Sequence, residues 1–355
     1  MTTSSNSAEE IAQKIRSLKN QLTGLQEDVR FTSLRDRIED LQTTVNNLDQ
    51  EIANLRARGY VFNKGLETQA KDFAQQWRTL QPGVTRQIEE QAKLLGTSLR
   101  PIENQITQLA ARVQNPSTAR PLLNRVEAAI STLEGNISAA EKSIQGMFDQ
   151  LKAQVNELVA RLARADWMLT EISEATFQLL SAEAGIVAVK AVWVKGGKER
   201  KDDPEGVLFL TDQRLIFEQK EKVATKKVLF ITTEKKLVQQ LLWQCPVALV
   251  EEIKTEKQGM LKNEDHLDIN LASGAPYPSV HVHIWGDCET WRTLIKRAKS
   301  KDFDKDRAIP ISAADVEKVK SAPESCSACG ATVDQVVLRG MDSITCNYCG
   351  HVMRL

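Results

Sequence analysis

The first half of the chain repeats apolar residues at alternating steps of four and three positions. The first run starts at Ile11, changes phase near Phe31 and stops before Gly59. Two further runs with the same steps occupy residues 62–113 and 123–162. This spacing places the apolar side chains in one stripe along an α-helix, and such a stripe packs against another helix.

These runs predict three long helices joined by short turns. Each helix would contain about 45 to 50 residues, and consecutive helices linked by short turns alternate in direction. We therefore predict a multidomain chain that begins with a long antiparallel α-helical coiled-coil rod over residues 8–181, after a disordered N-terminus at 1–7. Pro82 lacks an amide hydrogen and should kink or interrupt the second helix. Heptads serve contacts within one chain and between copies equally, so homo-oligomerisation through the rod stays open.

After Ala184 the apolar period shortens to two, which is typical of β-strands. Trp291, Leu294 and Ile295 share one face of a predicted helix over residues 287–299. The candidate strands are 186–195, 206–210, 214–219, 227–232, 247–255, 266–271 and 279–285. The pattern therefore predicts a domain of seven strands that ends with one helix.

The segment GVLFLTDQRLIFEQKE, residues 206–221, gives this domain a family resemblance. Thr211 and Asp212 can turn the chain through side-chain hydrogen bonds to their own backbone. The segment resembles the G-x-L-x-L-T-(D/N)-x-R-L-I-F hairpin of GRAM and bacterial PH-like domains. The resemblance implies a PH-like seven-stranded β-barrel with a C-terminal helix over residues 185–300, which acts as a docking module for lipid head groups or proteins.

The loop between the first two strands holds a candidate lipid or partner contact. PH-type lipid sites use basic residues of this loop, so the resemblance implies that the same loop binds lipid here. The basic residues here are Lys195, Lys198, Arg200 and Lys201, and four acidic neighbours cancel most of their charge. An ordinary solvated loop is the alternative interpretation.

A second candidate contact lies in residues 232–246. Lys235 and Lys236 precede an apolar group that includes Leu242 and Trp243. One or two amphipathic turns with a basic start could enter a membrane interface, where Trp and Leu are favoured. The same segment could instead pack against the sheet domain or the rod.

Three histidines and the remaining polar residues predict no catalytic site. His281 and His283 share one face of a strand, His266 is nearby in sequence, and no carboxylate lies at ligand spacing, so we predict no metal site there. The Ser, His and Asp residues form no recognisable nucleophile arrangement, and the glycines at 196 and 197 lack the spacing of a phosphate-binding loop. We therefore predict that the chain has no enzymatic activity.

Two CxxC pairs, each followed by glycine, lie near the C-terminus. Sixteen residues separate Cys326 and Cys329 from Cys346 and Cys349, which is the spacing of a zinc ribbon. Four thiolates leave no open coordination position, so the predicted Zn²⁺ ion is structural. The ribbon would occupy residues 326–355, with a β-hairpin of strands 333–338 and 343–345, after a linker over 301–325.

The charge balance limits the partners that this chain can attract. The 47 Lys and Arg residues equal the 47 Asp and Glu residues, so no global field draws the chain to nucleic acid or to anionic membranes. The start has no basic region before an apolar run, and no stretch approaches about 18 apolar residues. We expect a cytoplasmic protein, with peripheral membrane contact through the sheet domain as an open alternative.

These features together predict a non-enzymatic adaptor or scaffold with protein partners. The rod would space or oligomerise, and the PH-like domain would dock on a protein or a membrane surface. The alternative is a nucleic-acid-associated regulatory factor that uses the ribbon, with the rod for dimerisation. Arg339, His351 and Arg354 are the only cationic candidates in the ribbon, which is few for phosphate binding.

Overall fold

The computed structural model describes residues 2–196, 198–228, 231–259 and 263–355, and no side chain within 2–6 or 224–235. Contacts divide the chain into two compact units. The helical unit contains Met1–Asp49 and Thr68–Val159, and the sheet unit contains Gln50–Glu67 and Ala160–Leu355.

The N-terminal region is helical, as the heptad runs predict, but it is divided into five helices. They are α1 Thr2–Asp28, α2 Thr32–Ala57, α3 Leu66–Ala111, α4 Pro116–Gly146 and α5 Asp149–Glu174. The phase shift near Phe31 marks the break between α1 and α2, because Phe31 has a left-handed φ of 54°. A second break at Met147 and Phe148 divides the third predicted helix. Helix α1 begins at Thr2, within the segment 1–7 that the sequence predicts to be disordered.

Helix α3 runs without interruption through Pro82 and Pro101. The predicted interruption at Pro82 is therefore wrong. Pro82 lies on the exposed side of the helix. There, water can bind the backbone carbonyl that lacks its usual amide partner, which reduces the cost of an internal proline.

Apolar heptad positions form the core of the helical unit. Trp77 and Phe148 are almost fully buried, and their rings meet edge to face with centroids 6.3 Å apart. The indole Nε1 of Trp77 donates a 2.6 Å hydrogen bond to Gln42 Oε1, so its polar atom is satisfied in the core. An ion pair between Lys14 and Glu127, 3.0 Å long, links α1 to α4 on the surface.

Seven antiparallel strands and one helix form most of the sheet unit. The strands are β1 Gly185–Val194, β2 Glu205–Thr211, β3 Arg214–Val228, β4 Ile231–Pro246, β5 Val250–Gln258, β6 Glu264–Leu271 and β7 Ser279–Ile284, and the helix is α6 Cys288–Lys299. Their order in the sheet is β4-β3-β2-β1-β7-β6-β5. The seven strands and the helix that follows them agree with the predicted PH-like arrangement. In the described ranges no pairing joins β4 to β5, so hydrogen bonds do not close the sheet into a barrel.

The strands differ from the prediction around residues 227–246. In the predicted strand 227–232, Lys227 and Val228 end β3, Ile231 and Thr232 begin β4, and residues 229 and 230 lie outside the described residues. The predicted amphipathic turns at 232–246 are strand β4. Both strands are long, 15 and 16 residues. Residues 247–249, predicted as part of a strand, form a 3-10 turn before β5.

Helix α6 packs on the sheet through Trp291 and Ile295, which are 3% and 0% exposed. Its N-terminus is capped by Asp287, whose carboxylate accepts a 2.7 Å hydrogen bond from the amide of Thr290. A 3-10 turn over Asp302–Asp306 and helix α7, Ala313–Lys320, then lead to the C-terminal segment.

Candidate metal centre

The last thirty residues form two tight turns and a short hairpin. After each CxxC pair a glycine adopts a left-handed φ of 73°, at Gly330 and at Gly350. Their amides donate hydrogen bonds of 2.8 and 2.9 Å back to the carbonyls of Cys326 and Cys346. Such turns need glycine because a side chain is unfavourable at this φ.

Strand β8, Ser343–Thr345, is present as predicted, but its partner is β9, Val352–Arg354. The predicted strand 333–338 is therefore wrong. Around the first CxxC pair, a single β-bridge joins Ser325 to Thr332. Val333 and Val337 instead pack on the small core of this segment, so their apolar side chains are used for burial rather than for strand pairing.

The four cysteines come together as the spacing predicts. Their sulfur atoms all lie within 4.8 Å of one another. The Sγ atoms of Cys326 and Cys349 are 3.6 Å apart, and those of Cys329 and Cys346 are 3.7 Å apart. A tetrahedral site with metal–sulfur bonds of about 2.3 Å has edges of about 3.8 Å. The donor set and its spacing therefore fit one tetrahedral metal ion.

Backbone amides favour thiolates at this centre. The amides of Cys329 and Ala328 point at Cys326 Sγ and lower the pKa of Cys326 to about 6. The amides of Cys349 and Tyr348 likewise lower the pKa of Cys346. Thiolates are the form in which cysteine binds metals.

The other three sulfurs of the cluster act against the Cys349 thiolate. The amide of His351 favours its thiolate, but the sulfurs of Cys329, Cys326 and Cys346 and its desolvation together raise the pKa of Cys349 to about 12. Four adjacent sulfurs repel each other when all are charged. A divalent cation among them removes that repulsion and holds all four as thiolates.

The segment around the cysteines buries little apolar surface. Its core consists of Ile344 and Met353 with the buried cysteines Cys326 and Cys346. A segment of this size rarely folds on such a core alone, and a metal ion bound by the four cysteines would supply folding free energy.

Arg339 anchors the ribbon to the rest of the sheet unit. Its guanidinium lies 2.8 Å from a carboxylate oxygen of Asp212 and 2.7 Å from one of Asp304. Its backbone amide and carbonyl also bond the side-chain amide of Gln213, at 2.6 and 2.9 Å. Arg339 was a candidate phosphate contact from sequence, but its side chain is only 11% exposed and already paired. This side chain therefore has little surface to offer to a phosphate.

Gly340 fits into the same contact. It has a φ of 84°, and a β-carbon added there would lie within 2.8 Å of the backbone amides of Ser181 and Ala182. The ribbon loop therefore approaches the segment before β1 closely enough that only glycine fits without a shift.

Arg339 binds the hairpin turn between β2 and β3, which is the segment that carries the family resemblance. Residues 211–214 are all buried, although two of their side chains are polar and two are charged. Arg214 forms an ion pair with Glu183, and the Thr211 hydroxyl donates a 2.6 Å hydrogen bond to the same carboxylate. Asp212 accepts from the amide of Ala184 and from Arg307 as well as from Arg339. Sequence reasoning recognised turn-forming residues here and missed their long-range partners.

Burial and the hydrogen-bond partners of Asp212 shift the pKa of its carboxyl group in opposite directions. Desolvation raises the pKa of Asp212, whereas the Ala184 amide and the Arg307 guanidinium lower it. The net direction is upward. The two arginines around this carboxylate therefore offset a real cost of burying the charge.

The four basic residues of the loop between β1 and β2 are all exposed. The Lys195 ammonium lies 4.7 Å from the centre of the Trp193 ring, a cation–π contact. The backbone amide of Arg200 donates a 2.8 Å hydrogen bond to Asp203, which closes the loop. Because Lys198 and Lys201 are exposed like Lys195 and Arg200, a phosphate could reach any of the four cations.

Of the second candidate group, Trp243 lies in the core. It is 3% exposed and stacks on Phe217 with ring centroids 5.8 Å apart and planes 16° apart. Strand β4 pairs with β3 and turns this ring inward, which agrees with the alternative that the segment packs against the sheet domain. Leu242 is half-buried and Lys236 is exposed, and the side chain of Lys235 lies outside the described residues.

None of the helices in the described part of the chain has the length and apolar character that a membrane span requires.

No family model matches the chain, and no curated protein matches it. Among solved structures, it is similar to the C-terminal domain of an unknown protein from Leishmania infantum, with 13% identity over 33% of this chain and 84% of that chain, and a TM-score of 0.22. It is also similar to the DH/PH fragment of PDZRHOGEF in complex with human RhoA, with 12% identity over 85% of this chain and 96% of that chain, at a TM-score of 0.25. The DH/PH domains of p115-RhoGEF are similar as well, with 11% identity over 84% of this chain and 94% of that chain, and a TM-score of 0.23. Scores this low show no family for this chain.

Proposed function

We propose that this chain is a non-enzymatic adaptor that presents a zinc-stabilised docking surface to a protein partner in the cytoplasm. In this proposal residues 185–300 are a GRAM or PH-like docking module, and Zn²⁺ bound by the four cysteines is structural. The helical unit acts as a spacer for this module or pairs two copies of the chain.

One observation carries the proposal: the ribbon is fastened to the motif hairpin by a buried, charge-balanced network. Asp212 and Asp304 meet Arg307 and Arg339 in this network. Buried ion pairs of this kind are strongly destabilised when one partner is removed. The ribbon is therefore held as a fixed part of the sheet unit, as a docking surface with a defined shape requires.

The ribbon leaves an exposed apolar and aromatic surface next to the metal. Tyr348 is 72% exposed and Val352 is 55% exposed. Exposed tyrosine is enriched in protein interfaces, where its ring packs and its hydroxyl finds a hydrogen bond. With Arg339 paired internally, His351 and Arg354 are the remaining cationic candidates on the ribbon. The surface therefore favours a protein partner over nucleic acid.

Site-specific photo-crosslinking of the full chain in cells tests this function. We expect a photoreactive phenylalanine analogue at Tyr348 to crosslink to a defined protein, because that position is the most exposed large side chain near the metal. The same analogue at Leu94, a 59% exposed position on α3, is the matched control. Crosslinks to nucleic acid alone, or identical products from both positions, would exclude the proposal.

The membrane alternative has a separate test. If the β1–β2 loop binds a lipid surface, vesicles with anionic phospholipid should carry the chain upward in a flotation gradient. The double variant K198E/K201E should remain at the bottom, whereas D202N, in the same loop, should float. Flotation that depends on Lys198 and Lys201 would make the membrane, rather than a protein, the surface on which the module docks.

A further inference from the structure

His266 is buried on the face of the sheet that lies opposite the core. Its neighbours on β6, Leu267 and Ile269, are 0% exposed in the core, and successive residues of a strand point to opposite faces. His266 nevertheless is only 2% exposed. The rings of His281 and His283 on the neighbouring strand β7 cover it, with ring centroids 5.1 and 4.7 Å away.

A chain of hydrogen bonds sets the tautomer of His266. His281 Nδ1 lies 2.5 Å from Asp268 Oδ1, and His281 Nε2 lies 2.9 Å from His266 Nδ1. An ionised carboxylate only accepts, so His281 Nδ1 carries a proton, and in the neutral ring Nε2 then accepts. His266 must then donate from Nδ1. Its Nε2 atom therefore carries a lone pair and no proton.

The Nε2 atom of His266 is buried and has no hydrogen-bond partner among the described residues. Buried polar atoms of this kind are rare, because an unmade hydrogen bond costs about 1 to 3 kcal/mol. The Oε2 atom of Glu264 lies 4.0 Å from this nitrogen, which is too far for a hydrogen bond. A buried, unprotonated imidazole nitrogen with no partner is a ready metal ligand.

Two further ligand groups surround this atom. Glu199, from the β1–β2 loop, reaches His283 with a distance of 2.7 Å between Oε2 and Nδ1. One ligand atom each from Glu199, His266 and His283 lies within 4.8 Å of the other two. These residues come from three separate parts of the chain, and 84 positions separate Glu199 from His283.

We propose that His266, His283 and Glu199 bind a divalent transition-metal ion on the outer face of the sheet. The proposal stands apart from the adaptor function and from the four-cysteine centre. Two imidazoles and one carboxylate are a donor set for Zn²⁺ and for Fe²⁺, Co²⁺ or Ni²⁺. Three protein ligands leave at least one position for water or an anion, whereas four thiolates close the cysteine site.

Ligation requires one local movement. The rings of His266 and His283 are 17° from parallel, so their lone pairs do not converge as they stand. His283 must turn about its Cβ–Cγ bond, and the exposed Glu199 must follow it. His266 needs no movement, since the hydrogen bonds through His281 to Asp268 already hold its ring. That relay matches the outer hydrogen bonds that orient metal-binding histidines in known sites.

Metal stoichiometry of the full chain tests the proposal. The reduced protein is stripped with a chelator, loaded with Zn²⁺, separated from free metal and analysed for zinc. We expect two ions per chain in the unchanged protein and one in E199Q and in H283Q. D202N, a neighbouring carboxylate in the same loop, should keep two.

Cobalt distinguishes the two sites by their donors. Binding at the cysteines gives thiolate-to-cobalt charge-transfer absorption, and a second equivalent at the histidines should add visible bands without increasing it. The positioning variant D268N should weaken the second equivalent by about 10- to 100-fold and leave the first unchanged. The proposal is overturned if the unchanged protein binds a single equivalent of metal. It is also overturned if the second equivalent still binds in both E199Q and H283Q and the thermal unfolding of these variants is unchanged.

Discussion

The guanidinium of Arg339 lies 2.8 Å from the carboxylate of Asp212, although 127 positions separate the two residues. Asp212 belongs to the turn between β2 and β3, and Arg339 belongs to the loop between the two cysteine pairs. Both side chains are largely buried, at 2% and 11% exposure. This pair makes the metal-binding segment an integral part of the sheet unit.

Replacing Arg339 should therefore destabilise the sheet unit strongly. R339A leaves Asp212 and Asp304 with one fewer cation in a buried site, and removal of one partner from a buried pair costs about 3 to 5 kcal/mol. Urea unfolding followed by tryptophan fluorescence measures the change. R354A, which removes an exposed arginine of the same segment, should change stability by less than about 0.5 kcal/mol. Equal effects of the two variants would contradict the anchoring role of Arg339.

Loss of one cysteine should remove the metal from the ribbon. In C349S only three thiolates remain, so thiolate-to-cobalt charge-transfer absorption should disappear or weaken sharply, and amides of residues 326–355 should lose protection in hydrogen exchange. C245A removes a buried thiol outside the cluster and should leave both signals unchanged. Retained protection in C349S would show that the segment folds without its metal.

Gly206, the first residue of the hairpin motif, should tolerate no side chain. A β-carbon there would lie 1.9 Å from the carbonyl oxygen of Glu218 on the paired strand. We expect G206A to cost about 3 kcal/mol or more, because backbone must move to relieve the overlap. G135A is the matched control on helix α4, where nothing lies within 4 Å, and it should stabilise by about 0.5 to 1 kcal/mol. Thermal unfolding separates the two outcomes.

Trp243 should behave as a core residue rather than as a surface contact. W243A removes a ring that stacks on Phe217, and we expect a loss of about 3 to 5 kcal/mol in the free energy of unfolding. Leu237, on the same strand, is 50% exposed, so L237A should change stability little. A W243A variant with unchanged stability but impaired vesicle binding would restore the membrane-contact interpretation.

The histidine cluster should make stability depend on pH. Burial and the Coulombic interactions with His283 and His281 lower the pKa of His266, against the raising effect of Glu199 and Glu264. Asp268 orients His281. The folded state therefore binds fewer protons than the unfolded state near the ordinary value of 6.5. Stability is fully present above that pH and falls as the pH drops below it, by at most about 1.4 kcal/mol per pH unit for one group.

Urea unfolding of the metal-free chain between pH 7.5 and 5.5 measures this dependence. The informative quantity is the slope of stability against pH, since H266Q also changes packing. We expect a shallower slope in H266Q than in the unchanged chain. Identical slopes would mean that His266 does not couple protonation to folding.

Local sequence patterns predicted the elements whose chemistry is local. The two CxxC pairs with their glycines specified four sulfurs around one ion, because each pair and its turn span only five residues. The T-D-x-R hairpin and the helix after β7 were predicted for the same reason. Heptads placed the helices, and the phase shift at Phe31 indicated where one of them ends.

Patterns failed where neighbours in space outweigh neighbours in the chain. Residues 232–246 suggest amphipathic turns by composition, but pairing with β3 makes them a strand and buries Trp243. Val333 and Val337 suggest a strand and instead fill the core of the ribbon. In both cases tertiary packing overrides local propensity.

The sequence by itself determined the four-cysteine cluster near the C-terminus, the turn-forming hairpin and the change from helical to strand period. Only the tertiary structure decided that Asp212 binds Arg339 and that Glu199 meets His283 beside the buried His266. Spacing along the chain reports contacts that a few residues of backbone can close. Contacts between distant segments depend on strand order and on which face each residue takes, and both are settled only when the whole sheet packs.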